Sequence, residues 1–228
     1  MRVIDAAADL VLGARCPGCD TPAFGLCRNC AAELAGLRPE PVPRPLAGYP
    51  PTVAAGPYLD VLRRVLLAAK ERQALTQLPV LSRLLARAVA DLLLRESPRL
   101  PVVLVPVPSV RARVIERGID LTATLAAGAA RRLARCGVEI RVDRAVRLAR
   151  EPDDQASLGR WDRLANAQGA YRCVRPLGGS VIVVDDVVTT GATLVGVAAA
   201  LRAAGCVPYG AATVAQTPRR GDRSAPAS

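Results

Sequence analysis

The sequence predicts an α/β protein, a parallel sheet flanked by helices, preceded by a small cysteine-rich module. Three observations carry this. Short all-apolar runs, Val102-Val103-Leu104-Val105 and Val181-Ile182-Val183-Val184, alternate with stretches of helical periodicity, as strands buried on both faces do. Four of the seven cysteines fall in one window, as Cys16-Pro17-Gly18-Cys19 and Cys27-Arg28-Asn29-Cys30. Between the two parts run seven prolines from Pro39 to Pro57, with Gly48 and Gly56 among them, a composition that cannot form helix and poorly forms sheet. The expected organisation is residues 1–36 for an N-terminal helix and cysteine module, 37–57 for a linker or extended strap, 58–216 for the α/β domain and 217–228 for a disordered tail.

Taken in order, Val3, Ile4, Ala7, Leu10 and Val11 have helical spacing and predict a short amphipathic helix over 2–12. Helices are expected over 60–70 and 78–95, the second with Leu78, Leu81, Leu84, Leu85, Val89 and Leu92 on one face. The strand at 102–105 stops at Pro106. Residues 118–135 read as helix, 142–148 as strand and 149–169 as a polar loop. After the strand at 181–184 come a helix over 192–204 and a strand over 207–214.

A length of 228 residues fits one medium domain with a small module. Apolar residues at 51% and charged residues at 22% exclude a mostly disordered chain. Histidine is absent, which removes Ser/His and Cys/His catalysis and every imidazole zinc site. The long uncharged stretch 203–218 is broken by Pro, Gly and Gln and is short of the roughly 18 to 20 apolar residues of a membrane helix. Asp5 and Asp9 interrupt the N-terminal apolar stretch, unlike a signal peptide, so a cytoplasmic protein with reduced thiols and no membrane insertion is expected. The net charge is +11, but Lys70 is the single lysine among 31 basic residues, so part of the excess reflects an arginine-rich composition. Charge alone does not identify a nucleic-acid partner.

The segment most informative about chemistry runs from Val181 to Thr193, with the sequence VIVVDDVVTTGAT. An apolar strand ends on Asp185 and Asp186, then a short loop of small hydroxyl residues and Gly191 opens a helix. In a parallel sheet this is the carboxyl end of a strand, where ligands bind. Backbone N–H groups of Thr189, Thr190, Gly191, Ala192 and Thr193 converge at a helix N-terminus suited to phosphate. The aspartates can accept hydrogen bonds from vicinal hydroxyls or support a hydrated Mg²⁺. An acidic cap after a strand accounts for the two aspartates but not for the whole pattern. Upstream, Val105-Pro106-Val107-Pro108-Ser109 leads to Arg111, Arg113 and Arg117-Gly118, where guanidinium forks and backbone donors can neutralise a diphosphate; a solvated arginine face is the alternative.

The 181–193 pattern resembles the signature of the type I phosphoribosyltransferases. That resemblance implies that Asp185 and Asp186 hold the ribose hydroxyls of phosphoribosyl pyrophosphate (PRPP), that Thr189 to Thr193 wrap its 5′-phosphate, and that Ser109, Arg111, Arg113 and Arg117 bind its diphosphate. With the four-cysteine module, Lys70, the Pro-Val-Pro segment, Gln155, Leu158, Arg163, Asn166 and Gly169-Ala170-Tyr171 in this order, nearly the whole chain is similar to the ComF/GntX family of phosphoribosyltransferase-like proteins. One departure is Ile119-Asp120-Leu121, where the family commonly has Phe-Asn-Gln or similar. Residues 148–171 correspond to the mobile loop that closes over PRPP in type I enzymes, with Gln155, Arg160, Arg163 and Asn166 as candidate contacts; a polar surface loop is the alternative.

Two Cys-x-x-Cys turns can present Cys16, Cys19, Cys27 and Cys30 to one structural Zn²⁺, holding together a module too small for its own core. A redox pair is the rival, and two pairs this close favour the metal. Cys136, Cys173 and Cys206 are scattered and read as packing residues. The expected function is Mg²⁺-dependent PRPP binding with phosphoribosyl transfer to an acceptor that the sequence does not name. The family resemblance implies an alternative, a DNA-uptake factor in natural transformation that binds single-stranded DNA beside a helicase-like partner and uses PRPP for sensing. Aromatics are 3% of the chain, so DNA would be held mainly through phosphates, and the seven arginines between 131 and 150 are where such a surface is expected.

Overall fold

In the computed structural model, residues 15–44, 46–71, 75–95, 98–149 and 169–218 are described. The predicted helix over 2–12, the candidate residues Gln155, Arg160, Arg163 and Asn166, and residues 219–228 lie outside them.

The described chain is an α/β structure with a mixed, mostly parallel sheet of six strands. In chain order the elements are α1 (Arg28–Gly36), β1 (Glu40–Pro41), β2 (Thr52–Ala54), α2 (Asp60–Glu71), α3 (Leu78–Arg95), β3 (Val102–Pro106), α4 (Arg111–Arg117), α5 (Leu121–Arg135), β4 (Ile140–Val142), β5 (Val146–Leu148), β6 (Tyr171–Cys173), β7 (Ser180–Val188), α6 (Ala192–Ala203) and β8 (Gly210–Gln216). The strand order is β1-β2-β8-β7-β3-β4, and β5 and β6 form a separate antiparallel pair. Every pairing in the large sheet is parallel except that of β1 with β2.

The continuous apolar runs form central strands because both faces of the sheet are covered. Side chains alternate across the strand. Val102, Leu104, Ile182, Val184, Ala212 and Val214 point into a core shared with α2, α3 and α5. Val103, Val105, Val181, Val183 and Ala211 point into a second core beneath α6 and the β5–β6 pair. The cysteine module joins the first core: Cys16, Ala23, Cys30 and Leu34 are buried with Val61 and Leu62 of α2. A module without enough residues for its own interior is thus seated on the domain's.

Four elements differ from the sequence expectation. The Pro-rich stretch supplies two strands of the sheet, because Thr52-Val53-Ala54 is free of proline and pairs with Ala211-Ala212-Thr213 of β8. The helix expected over 118–135 starts at Leu121, and a separate short helix, α4, precedes it. Gly118, at φ 70°, ends α4 with its N–H on the Ile115 carbonyl, and the Asp120 side chain caps α5 by accepting from Ala123 N–H. The single strand expected over 142–148 divides at buried Asp143, whose carboxylate draws in Arg141 and Arg175, and the chain leaves the large sheet there for β5. The last strand starts at Gly210 rather than 207, past Pro208, which has no N–H for the ladder.

Candidate functional site

The carboxyl ends of β3 and β7 lie side by side. Pro106 is in register with Val184, and Val107 N–H donates to the Val184 carbonyl at 2.9 Å, so the segment after β3 runs beside Asp185 and Asp186. Consecutive residues of a strand face opposite ways, and the two carboxylates meet different partners. Asp186, on the face that packs against α2, lies 2.9 Å (Oδ1) and 2.8 Å (Oδ2) from Lys70 Nζ. Asp185, on the α6 face, accepts the Asp186 N–H through Oδ1 at 2.8 Å. Desolvation and then the Asp186 charge push the Asp185 carboxyl up to about 7, against the pull of the Asp186 N–H and Lys70. Burial, and then the Asp185 charge, raise the Tyr171 phenol to about 12, opposed by its hydrogen bond with Thr193. One carboxyl is thus pushed toward neutral pH, and its neighbour is paired with Lys70.

After β7 the chain turns at Thr189-Thr190-Gly191 into α6. Thr190 Oγ1 accepts Ala192 N–H at 3.3 Å, and Gly191, at φ 89°, is in left-handed conformation. A Cβ at Gly191 would lie 2.6 Å from Cε2 of Tyr49. Arg44 donates from Nε to the Thr189 carbonyl and from a terminal nitrogen to that of Thr217, each at 3.2 Å. Arg202 donates to the Gly48 carbonyl at 3.1 Å. The Pro-rich strap therefore lies across the loop, and Gly191 is needed for its φ and for the Tyr49 ring. The sequence motif alone gave no sign of this contact.

Past the end of β3, and bounded also by β5 and β6, lies a cavity of about 730 Å³ whose polar walls are Ser109, Arg111, Asp120, Arg144, Arg147 and Arg172. Ser109 Oγ donates to Asp120 Oδ1 at 3.0 Å, and Arg144 pairs with Asp120 Oδ2. Of the four residues expected to bind a diphosphate, Ser109 and Arg111 line this cavity, whereas Arg113 and Arg117 lie on α4 outside its walls. Arg147 and Arg172 were not singled out from the sequence. Their signal is alternation, in Val146-Arg147-Leu148 and Tyr171-Arg172-Cys173, but nothing local says that the two triplets pair. The arginines between 131 and 150 do not act alike: Arg141 pairs with Asp143, Arg132 donates to the Pro79 carbonyl, and Arg144 and Arg147 face the cavity.

The four cysteines of the N-terminal module come together, with their Sγ atoms all within 4.8 Å of one another. Cys19 Sγ and Cys27 Sγ are 3.6 Å apart, close to the edge of about 3.8 Å that follows from tetrahedral Zn–S bonds. Gly18 N–H and Cys27 N–H both donate to Cys16 Sγ, at 3.4 and 3.3 Å, as suits a thiolate. The Thr21 hydroxyl, with the Thr21 backbone, lowers the Cys19 thiol to about 6, whereas burial raises that of Cys30. A Cβ at Gly18 would lie 2.7 Å from Cys30 Sγ, so the Pro-Gly turn is part of the site's packing. The donor set and spacing fit one zinc ion.

Among the described residues no helix is long and apolar enough to cross a membrane. Compared with known proteins, the sequence matches no family model and no curated relative.

Proposed function

We propose that the protein binds PRPP together with Mg²⁺ and transfers the phosphoribosyl group to a nucleophilic acceptor, on a type I phosphoribosyltransferase-like scaffold. The observation that supports this most is that two unlike sites lie at the carboxyl ends of neighbouring strands. A carboxylate pair on β7 is followed by a hydroxyl-rich turn into α6, and an arginine-lined cavity lies past the end of its neighbour β3. A sugar carrying phosphate at one end and diphosphate at the other needs that combination.

In this reading Asp185 and Asp186 accept hydrogen bonds from the ribose hydroxyls, and the turn at Thr189 to Thr193 receives the 5′-phosphate. Ser109 and Arg111 bind the departing diphosphate. The bond from C1′ to the diphosphate oxygen breaks with its electron pair leaving on the diphosphate, the acceptor's lone pair forms the new bond to C1′, and the acceptor loses a proton. Positive charge developing on the sugar is stabilised by the carboxylates, and negative charge on the leaving group by the arginines. Mg²⁺ would add Lewis-acid neutralisation of the diphosphate. Asp186, with both oxygens on Lys70, suits hydroxyl binding better than direct ligation of the ion.

Calorimetric titration of PRPP with Mg²⁺ tests the reading. Binding to the wild type that is lost in Asp185→Asn/Asp186→Asn supports it, and a nucleobase panel monitored for pyrophosphate release then tests turnover. No binding to the wild type overturns it, and binding without release points to a PRPP-responsive regulator instead.

A further inference from the structure

The chain's one phenylalanine stays out of the core. Phe24 is 66% exposed, although Ala23 before it is buried, and Gly25, at φ 80°, turns the chain directly after it. It lines a second cavity, of about 490 Å³, enclosed by the cysteine module on one side and by α2 with the short turn Leu75–Gln77 on the other. Arg64, Leu67, Ala68 and Glu71 line the α2 side; they recur at i, i+3, i+4 and i+7 and so share one face of the helix. Leu62, Val65, Leu66 and Ala69 pack into the core instead, and Lys70 reaches Asp186. The volume is that of small-molecule sites, roughly 300 to 1,000 Å³. An exposed ring with Leu67 and Ala68 across from it suits a flat apolar body.

The polar part of the wall is more specific. Gln77 is 2% exposed and lines the same cavity. Its Nε2 donates to Thr76 Oγ1 at 2.9 Å, but its Oε1 is buried with no hydrogen-bond partner. A buried carbonyl oxygen without a donor is rare, because its desolvation goes uncompensated. Oε1 therefore calls for a donor from the cavity, and the Glu71 carboxylate on the same wall also accepts. The second hydrogen on Nε2 lets the amide meet an amino group and a neighbouring ring nitrogen together, the pairing that Gln makes with adenine. Residues 1–14 and 72–74 adjoin this wall in the chain and lie outside the described residues, and the site is drawn from none of them.

We infer that this cavity binds a flat heteroaromatic ligand with an exocyclic amino group, of the aminopurine class. Phe24 stacks on the ring, and Gln77 Oε1 and Glu71 accept its amino hydrogens. The ligand supplies the donor that Gln77 lacks. No residue of the carboxylate pair, the turn into α6 or the arginine cavity takes part, so the inference goes beyond the PRPP reading and does not rest on it.

The test is calorimetry of the full chain, as purified, with adenine and, separately, with unsubstituted purine, which has the same ring system and no amino group. Wild type is compared with Phe24→Ala, Glu71→Ala and Gln77→Leu, with Leu94→Ala, an exposed position on α3 away from the cavity, as control. Adenine should bind roughly tenfold to a hundredfold more tightly than purine, as a buried acceptor left unpaired implies. Gln77→Leu should erase most of that preference. Phe24→Ala should weaken both ligands by about tenfold, since stacking does not read the amino group. The control should match wild type. Phe24 and Glu71 are exposed, so their variants decide the matter even if Gln77→Leu does not fold. No binding of adenine to wild type, equal affinity for adenine and purine, or affinity unchanged in both Phe24→Ala and Glu71→Ala overturns the inference. So does a single-stranded oligo(dA) that binds more tightly than adenine and depends on Phe24, which would assign the ring to a nucleic acid. Asp185→Asn/Asp186→Asn should bind adenine as wild type does. PRPP binding without adenine binding would sink this site and leave the functional reading standing; adenine binding without PRPP binding would do the reverse.

Discussion

Lys70 Nζ bridges both carboxylate oxygens of Asp186, at 2.9 and 2.8 Å, and so ties the last turn of α2 to the carboxyl end of β7. It is the chain's only lysine, and it supplies the cation that lets two consecutive aspartates stand at one strand end. In Lys70→Met the Asp186 charge loses its partner. Removing one member of a partly buried pair should cost on the order of 1 to 3 kcal/mol at pH 8. The deficit should shrink toward pH 5, where protonation relieves the repulsion. Thermal melts of wild type and variant at the two pH values measure this; an equal deficit at both would mean that the lysine acts through packing alone.

Asp185 gives a second pH signature. Its folded-state pKa is raised from 3.8 to about 7, by burial first and the Asp186 charge second. Between these values the folded chain holds a proton that the unfolded chain has released. The contribution is therefore fully present below about pH 4 and is lost as pH rises through about 7. Asp185→Asn keeps an oxygen for the Asp186 N–H but has no charge to bury. It should be more stable than wild type at pH 8, by a few kcal/mol at most, and nearly equal to it at pH 4. Denaturant titrations at both pH values would show the crossover, and a variant less stable at pH 8 would contradict the assignment.

Much of the sheet could be read from the sequence, because Val102 to Val105 and Val181 to Val184 are apolar at every position and only a strand covered on both faces demands that. Helices α2 and α3 were legible for the same reason, in their spaced Val, Leu and Ala residues. The capping signals at Gly118 and Asp120 were also present, and they place the start of α5 at Leu121 rather than at 118. The strap was hidden because proline density masks the three residues, Thr52 to Ala54, that pair with β8. The arginine cavity was hidden for another reason. Arg147 and Arg172 become neighbours only when β5 meets β6, and no local pattern encodes that meeting. Asp185 and Asp186 stood out as a motif, yet their division between two faces, one with Lys70 and one with Tyr171, is a property of the packed strand.

Buried Asp143 should make the fold acid-sensitive. Burial alone would raise its pKa, but hydrogen bonds and charge from Arg175, at 2.7 Å to both oxygens, and from Arg141 outweigh it and hold the carboxyl below 3.8. A depressed folded pKa contributes stability above the unfolded value, which is lost as pH falls through the folded one. Arg175→Ala removes the partner that reaches both oxygens while Arg141 remains, and should cost on the order of 1 to 2 kcal/mol at pH 7. Chemical denaturation at pH 7 and pH 3 should show the gap between the two proteins closing in acid.

The cysteine cluster predicts about one zinc per chain in protein purified without added metal. Because Cys16 and Cys30 are buried in the core shared with α2, a chelator should lower the melting temperature of the whole chain. Gly18→Ala would bring a methyl to 2.7 Å from Cys30 Sγ and 3.0 Å from Val61. It should reduce both zinc content and stability even though every ligand is retained. Full zinc occupancy and wild-type melting in Gly18→Ala would show that the turn relaxes around the methyl.

Gly191 carries two separable demands, its φ of 89° and the approach of Tyr49. A non-glycine residue in such a conformation costs on the order of 1 to 3 kcal/mol, and the clash with the ring adds an overpacking penalty of similar size. Gly191→Ala should therefore be strongly destabilised. Tyr49→Ala deletes the ring, so Gly191→Ala made in that background should lose only the backbone part. A double-mutant cycle in denaturant gives the coupling between the two positions directly. A coupling near zero would mean that the ring moves aside and the strap is loosely held. A coupling above about 1 kcal/mol would mean that strap and turn pack as one unit, so that a ligand entering the turn must contend with Tyr49 and Arg44 as well as with the helix that follows.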